Sequence, residues 1–113
     1  MQRLSLVPTP IGNVADITER ALQVLRDADV VAAEDTRRTR ALLRHYGLTK
    51  EIVRLDTFTM AQRGPRLFEN SDIAWLAYVS DAGTPGISDP GAFLIELAIR
   101  YGVAHEVLPG PTA

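Results

Sequence analysis

Ser80-Asp81-Ala82-Gly83-Thr84-Pro85-Gly86-Ile87-Ser88-Asp89-Pro90-Gly91 joins two apolar segments of different period. Before it, Ile73 to Val79 is a short continuous apolar run, the pattern of a buried strand. After it, Asp89 fits an N-cap and Pro90 the first helical position. Phe93, Leu94, Leu97, Ala98 and Tyr101 then recur as one helical stripe. The stretch is therefore a long strand-to-helix loop in which three glycines and two prolines alternate. Glycine lets backbone approach a ligand closely, while proline stiffens the path between. Such a loop presents fixed N–H and C=O groups to a small molecule, although the same composition also builds plain rigid connections.

The same alternation extends in both directions. Leu4 to Val7 reads as a first strand that ends at Pro8-Thr9-Pro10-Ile11-Gly12-Asn13. Asp16-Ile17-Thr18-Glu19 matches a capping box, and Ile17, Ala21, Val24, Leu25 and Ala28 continue as a helix. Val30 to Ala33, apolar throughout, predicts a strand covered on both faces. It breaks at Glu34-Asp35-Thr36, where Asp35 or Thr36 can cap a helix that stops at Gly47. On that helix Arg37, Arg40 and Arg44 share a face with Arg38 beside them, a row that is usually a solvated surface but, beginning at a strand end, can also contact phosphate. His45 near its end reads as a partner of the helix dipole. Ile52 to Leu55 is a third strand with Asp56-Thr57-Phe58-Thr59 as its exit, and Met60 to Phe68 a weak helix broken by Gly64 and Pro65. A helix from Asp89 to Tyr101 ends at Gly102, and a fifth strand, Val103 to Leu108, leads into Pro109-Gly110-Pro111-Thr112-Ala113.

Strands alternating with helices predict an α/β domain, a mostly parallel five-stranded sheet flanked by helices. Every strand exit then lies at one edge, where open α/β sheets bind ligands. The chain ends within a Pro-Gly-Pro loop directly after a strand, so residues 1–113 are expected to be the N-terminal domain of a longer, two-domain protein.

Composition narrows the classes. The 113 residues carry 46% hydrophobic and 23% charged side chains, ordinary for one soluble domain, and a net charge of −2 argues against a generally basic nucleic-acid binder. No cysteine excludes disulfides, thiolate metal sites and a cysteine nucleophile, and His45 and His105 lack metal-ligand spacing. No signal-peptide core or membrane-length apolar run occurs, so a cytoplasmic chain is expected, without metal or membrane.

Four segments together carry a resemblance: Leu6 to Asn13, Ala33 to Thr39, Val79 to Gly91 and Leu108 to Ala113. In order and spacing they resemble the N-terminal half of the ribosomal RNA small-subunit methyltransferase I family, within the tetrapyrrole methylase superfamily. The resemblance covers nearly the whole chain. It implies two α/β domains, commonly dimeric, that transfer a methyl group from S-adenosylmethionine to the ribose 2′-hydroxyl of a cytidine in 16S rRNA of the small ribosomal subunit. It assigns cofactor binding to Pro10, Asp81, Ala82, Gly83, Thr84, Pro85, Ile87, Ser88, Pro109, Gly110, Pro111 and Thr112, and the substrate side to the loops containing Asn13 and Glu34 to Thr39. The superfamily does without the GxGxxG fingerprint, which this chain also lacks. Many members have a His-Glu-His-Asn-type sequence where this chain has Asp56-Thr57-Phe58-Thr59, so no catalytic role is assigned there.

Methyl transfer from a sulfonium needs chiefly alignment, with a carboxylate to accept the hydroxyl proton. Glu34 and Asp35 are the candidate catalytic residues by loop position, and Asn13, Arg37, Arg38, Arg40 and Arg44 the candidate RNA contacts. Two alternatives are a tetrapyrrole-type small-molecule C-methyltransferase on the same fold and a non-catalytic nucleotide- or RNA-binding module. The fragment alone is expected to bind cofactor weakly and not to turn over.

Overall fold

Nine elements alternate along the chain: β1 (Arg3–Pro8), α1 (Glu19–Asp27), β2 (Val30–Ala33), α2 (Thr36–His45), β3 (Glu51–Arg54), α3 (Met60–Glu69), β4 (Trp75–Ser80), α4 (Asp89–Tyr101) and β5 (Ala104–Val107). The computed structural model describes residues 1–9, 14–80 and 89–109. The strands form one sheet in the order β3-β2-β4-β1-β5, with every neighbouring pair parallel, as the alternating pattern requires.

That order decides where the helices lie. Connections between parallel strands are right-handed, so the direction of travel across the sheet selects the face that the helix covers. From β1 through β2 to β3 the chain moves one way, and from β3 through β4 to β5 it moves back. Accordingly α1 and α2 cover one face: Ala21, Val24, Leu25 and Leu43 pack on Val7, Val31, Ala33, Ala77 and Val79. On the other face Met60, Phe68, Leu94 and Leu97 pack on Leu4, Leu6, Val30, Ala32, Leu76 and Tyr78. Successive strand residues alternate between the two cores, which is why β2 is apolar at every position and the buried positions of β1 and β4 are apolar apart from Ser5.

Helix ends follow local chemistry. Gly47 and Gly102 have φ of 73° and 67° and end α2 and α4. After each, an amide reaches back five residues, Leu48 to the Leu43 carbonyl (2.8 Å) and Val103 to that of Ala98 (2.8 Å). The expected capping box at Asp16 is not the start of α1. Val14–Asp16 form one turn of 3-10 helix instead. The cap is Thr18, whose hydroxyl accepts from the Ala21 amide at 3.1 Å. The cap role expected of the Asp89 side chain lies outside the described residues.

The larger correction is α3. Gly64 and Pro65 were expected to break it, yet Met60–Glu69 is one helix with Pro65 inside it. Gly64 is buried against α4, and a Cβ there would lie 2.9 Å from Cδ1 of Leu97. The glycine lets the two helices approach, and the apolar surface so buried outweighs its poor helix propensity. Farther along the pair, the rings of Phe68 and Tyr101 stack at 5.7 Å, and the Tyr101 hydroxyl donates to Glu69 at 2.6 Å.

Beneath α1, a polar chain ties three strands together. Trp75 Nε1 donates to Ser5 Oγ (2.9 Å), which donates to Glu106 Oε1 (2.8 Å), and Glu106 also pairs with Arg3 (3.0 Å) and Arg20 (3.2 Å). The Arg3 guanidinium lies 4.0 Å over the Trp75 ring. Burial raises the Glu106 carboxyl pKa, but the bonds from Ser5 and Arg3 and the charges of Arg3 and Arg20 bring it below its ordinary value.

Candidate functional site

Neighbouring strands that send their helices to opposite faces leave a crevice at their carboxyl ends. Strands β2 and β3 are such a pair, since α2 leaves toward one face and α3 toward the other. Between their exits lies an open cleft of about 590 Å³, lined by Glu34, Asp35, Thr36 and Arg37 on one side and Arg54, Asp56, Thr57 and Phe58 on the other.

On the β2 side the two candidate carboxylates differ in what they do. Asp35 caps α2, its Oδ1 accepting from the Arg38 amide at 3.0 Å, so the capping reading of the sequence holds. Glu34 is exposed, and its Oε1 lies 3.5 Å from the hydroxyl of Tyr78, whose ring is buried in the core beneath. The first turn of α2 holds no acidic residue but does hold Arg37 and Arg38. Guanidinium groups therefore add to the positive end of the helix dipole at the cleft wall.

The β3 side was left out of the sequence-derived site, and it supplies half of the cleft. Its turn is fastened by Asp56. Oδ1 of Asp56 accepts from the amides of Phe58 (3.0 Å) and Thr59 (2.8 Å) and from the Thr59 hydroxyl (3.0 Å). The Asp56 amide donates back to Thr59 Oγ1 at 3.1 Å, and Oδ2 pairs with Arg54 Nε at 3.1 Å. The Thr59 amide bond is the strongest influence holding the Asp56 carboxyl below its ordinary pKa; the Thr59 hydroxyl, the Phe58 amide and Arg54 add to it. Asp56 is thus a structural anion whose acceptor sites are occupied, not a free base. Only its position at a strand exit marked this segment in the sequence.

The arginine row divides. Arg37 lines the cleft, whereas Arg40 and Arg44 line a smaller pocket of about 150 Å³ with Thr49, Lys50 and the apolar Leu43, Leu48 and Ile52. Arg38 lines neither, and none of the four arginines forms an ion pair among the described residues. The row follows α2 from the carboxyl edge of the sheet toward its amino edge.

The expected cofactor residues Pro10, Asp81, Ala82, Gly83, Thr84, Pro85, Ile87, Ser88, Gly110, Pro111 and Thr112, and the expected RNA contact Asn13, lie outside the described residues. Their neighbours are described. Thr9, buried at the end of β1, donates both its amide (3.0 Å) and its hydroxyl (2.9 Å) to the carbonyl of Ser80 at the end of β4. On the other side of β1, Leu108 donates to Leu6 at 3.0 Å, and Pro109 follows, exposed. The three expected cofactor segments therefore follow the adjacent strands β4, β1 and β5, of which β4 neighbours β2. Among the described residues, no three or more His, Cys, Asp or Glu are grouped to hold a metal ion, and no helix is long and apolar enough to cross a membrane.

Comparison with known proteins identifies the family and the fold. The sequence profile of the Tetrapyrrole (Corrin/Porphyrin) Methylases matches residues 3–113. The chain is similar to Ribosomal RNA small subunit methyltransferase I of Escherichia coli O157:H7, with 46% identity over 112 residues, 98% of this chain and 39% of the relative. It is similar to the protein of that name from Thermotoga maritima, with 44% identity over 117 residues, 100% of this chain and 51% of the relative. It spans only 39% and 51% of the length of these two curated relatives. Among solved structures, uroporphyrin-III C-methyl transferase from Thermus thermophilus complexed with S-adenyl homocysteine superposes with a TM-score of 0.69 at 23% identity, over 97% of this chain and 45% of that one. Diphthine synthase does so with a TM-score of 0.75 at 22% identity, over 98% and 45%. At those identities the likeness is one of fold.

Proposed function

The chain belongs to the tetrapyrrole (corrin/porphyrin) methylase family, and from that membership and its cleft we propose that it is the N-terminal domain of an S-adenosylmethionine-dependent 16S rRNA methyltransferase. The reaction is 2′-O-methylation of a cytidine ribose in the small ribosomal subunit. A C-terminal domain completes the protein, which works in the cytoplasm as a homodimer. The observation that carries this reading is the β2–β3 cleft, where an exposed carboxylate and two guanidinium groups stand beside the strand ends that launch the cofactor segments. Substantial identity to proteins named ribosomal RNA methyltransferases supports RNA over a tetrapyrrole as the substrate.

The tie between Thr9 and Ser80 suits the cofactor, because it brings the first and fourth strand exits side by side as a two-loop cradle requires. When bound, S-adenosylmethionine supplies an electrophilic methyl group on a sulfonium. Pro10, Asp81 to Pro85, Ile87, Ser88 and Pro109 to Thr112 would hold it. Glu34 accepts the proton of the ribose hydroxyl as its oxygen forms the new bond to carbon. Asp35 keeps one oxygen on the Arg38 amide and so positions the first turn of α2. Arg37 holds a phosphate at the cleft, with Arg38 beside it on α2 and Arg40 and Arg44 farther along the strand path. These groups act by alignment and charge, and the scheme needs no metal or covalent nucleophile.

The test uses the complete protein with labelled S-adenosylmethionine and small ribosomal subunits lacking the modification, followed by mass spectrometry of the RNA. Label on a cytidine ribose is the expected result. Cofactor binding without any label on RNA would move the assignment to a small-molecule methyltransferase, and no cofactor binding would overturn it entirely.

A further inference from the structure

Phe58 is 93% exposed, far more than the other large apolar side chains exposed among the described residues, Ile99 at 66%, Val107 at 44% and Tyr101 at 39%. Its backbone is nonetheless among the most firmly held in the turn, because the Phe58 amide donates to Asp56 Oδ1 and the next residue is bonded to Asp56 by both amide and hydroxyl. The turn therefore anchors the backbone beneath a bare aromatic ring at a strand exit. Burial was available close by. An apolar pocket of about 200 Å³, lined by Thr57, Met60, Ala61, Pro90 and Phe93, borders the same turn, and Phe58 does not line it. It lines the polar cleft instead, with Arg37 and Arg54.

Resting on the function proposed above, we propose that Phe58 is a stacking platform for an unpaired base of the RNA substrate, positioning the strand in the β2–β3 cleft. An aromatic face beside guanidinium groups is the chemistry that recognises single-stranded RNA, the ring taking a base and the cations the flanking phosphates. The cleft volume of about 590 Å³ lies within the range of small-ligand sites and is ample for a nucleotide. Because the turn is already ordered, binding has only the two torsions of the ring to fix and stacking is not offset by ordering the loop. Phe58 is a positioning residue: it orients the substrate and takes no part in proton or methyl transfer.

The experiment compares the complete wild-type protein with Phe58→Ala, Phe58→Leu and Phe58→Trp. The substrates are unmodified small subunits, and binding is read with a single-stranded RNA oligonucleotide of the target sequence carrying 2-aminopurine at successive positions. Cofactor affinity serves as the folding control. Phe58→Ala is expected to weaken RNA binding and raise KM about 5- to 140-fold, with kcat at saturation and cofactor affinity nearly unchanged. Phe58→Trp should restore binding and quench 2-aminopurine at one position, while Phe58→Leu should not restore it. Equal RNA affinity for Phe58→Ala and the wild type would overturn the inference. So would rescue by Leu as good as by Trp, or a change confined to oligomeric state or thermal stability, which would assign the ring to a protein interface. A wild-type protein that methylates no RNA would overturn the function itself, whereas an active wild type with an unimpaired Phe58→Ala defeats only the inference.

Discussion

Asp35 stands in the cleft and at the head of α2, and two substitutions separate those roles. Asp35→Ala removes the acceptor of the Arg38 amide and the one capping carboxylate of a helix whose first turn has no acidic residue. Loss of such a cap costs about 1 kcal/mol, with a few tenths more for the lost charge at the positive helix end. Unfolding entropy of about 2.1 cal/mol/K per residue, over 113 residues, comes to roughly 0.24 kcal/mol/K. The melting temperature should therefore fall by about 5–6 °C. Asp35→Asn keeps the cap, since asparagine is as good an acceptor there, and should lower it by only about 1–2 °C. Differential scanning calorimetry of the two variants reads the first role. Methylation by the complete protein reads the second: Glu34→Gln should lower kcat by about 10²- to 10⁴-fold, and Asp35→Asn by far less. Equal destabilisation by Ala and Asn would refute the cap. A full loss of turnover in Asp35→Asn at unchanged stability would make Asp35 the proton acceptor and refute the division of roles.

Gly64→Val should destabilise by about 1–3 kcal/mol, read as a lower urea midpoint, because even its Cβ would meet Leu97 Cδ1 at 2.9 Å; an unchanged midpoint would mean that α3 and α4 separate freely. The Glu106 carboxyl is held below its ordinary value, so its contribution to stability is complete above the unfolded pKa near 4.5 and is lost as pH falls through the lower folded value. Acid titration monitored by circular dichroism should accordingly show a shallower loss of stability below pH 4.5 in Glu106→Gln, from a lower starting stability at neutral pH. Replacing both Arg40 and Arg44 by alanine should weaken binding of single-stranded RNA regardless of sequence and reduce the slope of log affinity against log salt by about 0.7 for each lost phosphate contact. An unchanged slope would make that face of α2 a solvated surface.

Much of the fold was legible residue by residue. The short continuous apolar runs and the period-3.6 stripes give the order of strands and helices, Asp35 and Gly47 mark the ends of α2, and Gly102 ends α4. These signals are local, set by backbone capping and side-chain period within a few residues. Where tertiary packing overrode local preference the reading failed: Gly64 and Pro65 look like helix breakers until α4 is known to pack against α3, with Leu97 on Gly64. The site was legible in part for the same reason. Glu34, Asp35 and Arg37 were found because they follow a strand, but Arg54 and Phe58, some twenty residues away, carry no motif that joins them to it.

By itself the sequence determined the alternation of elements, the parallel sheet and the edge at which the strand exits gather, since short-range patterning and the chirality of crossovers require them. Only the tertiary structure decided that β2 and β3 are neighbours whose helices depart to opposite faces. Strand order depends on which apolar surfaces find each other across the whole chain, and that order opened the cleft and set Phe58 at its rim.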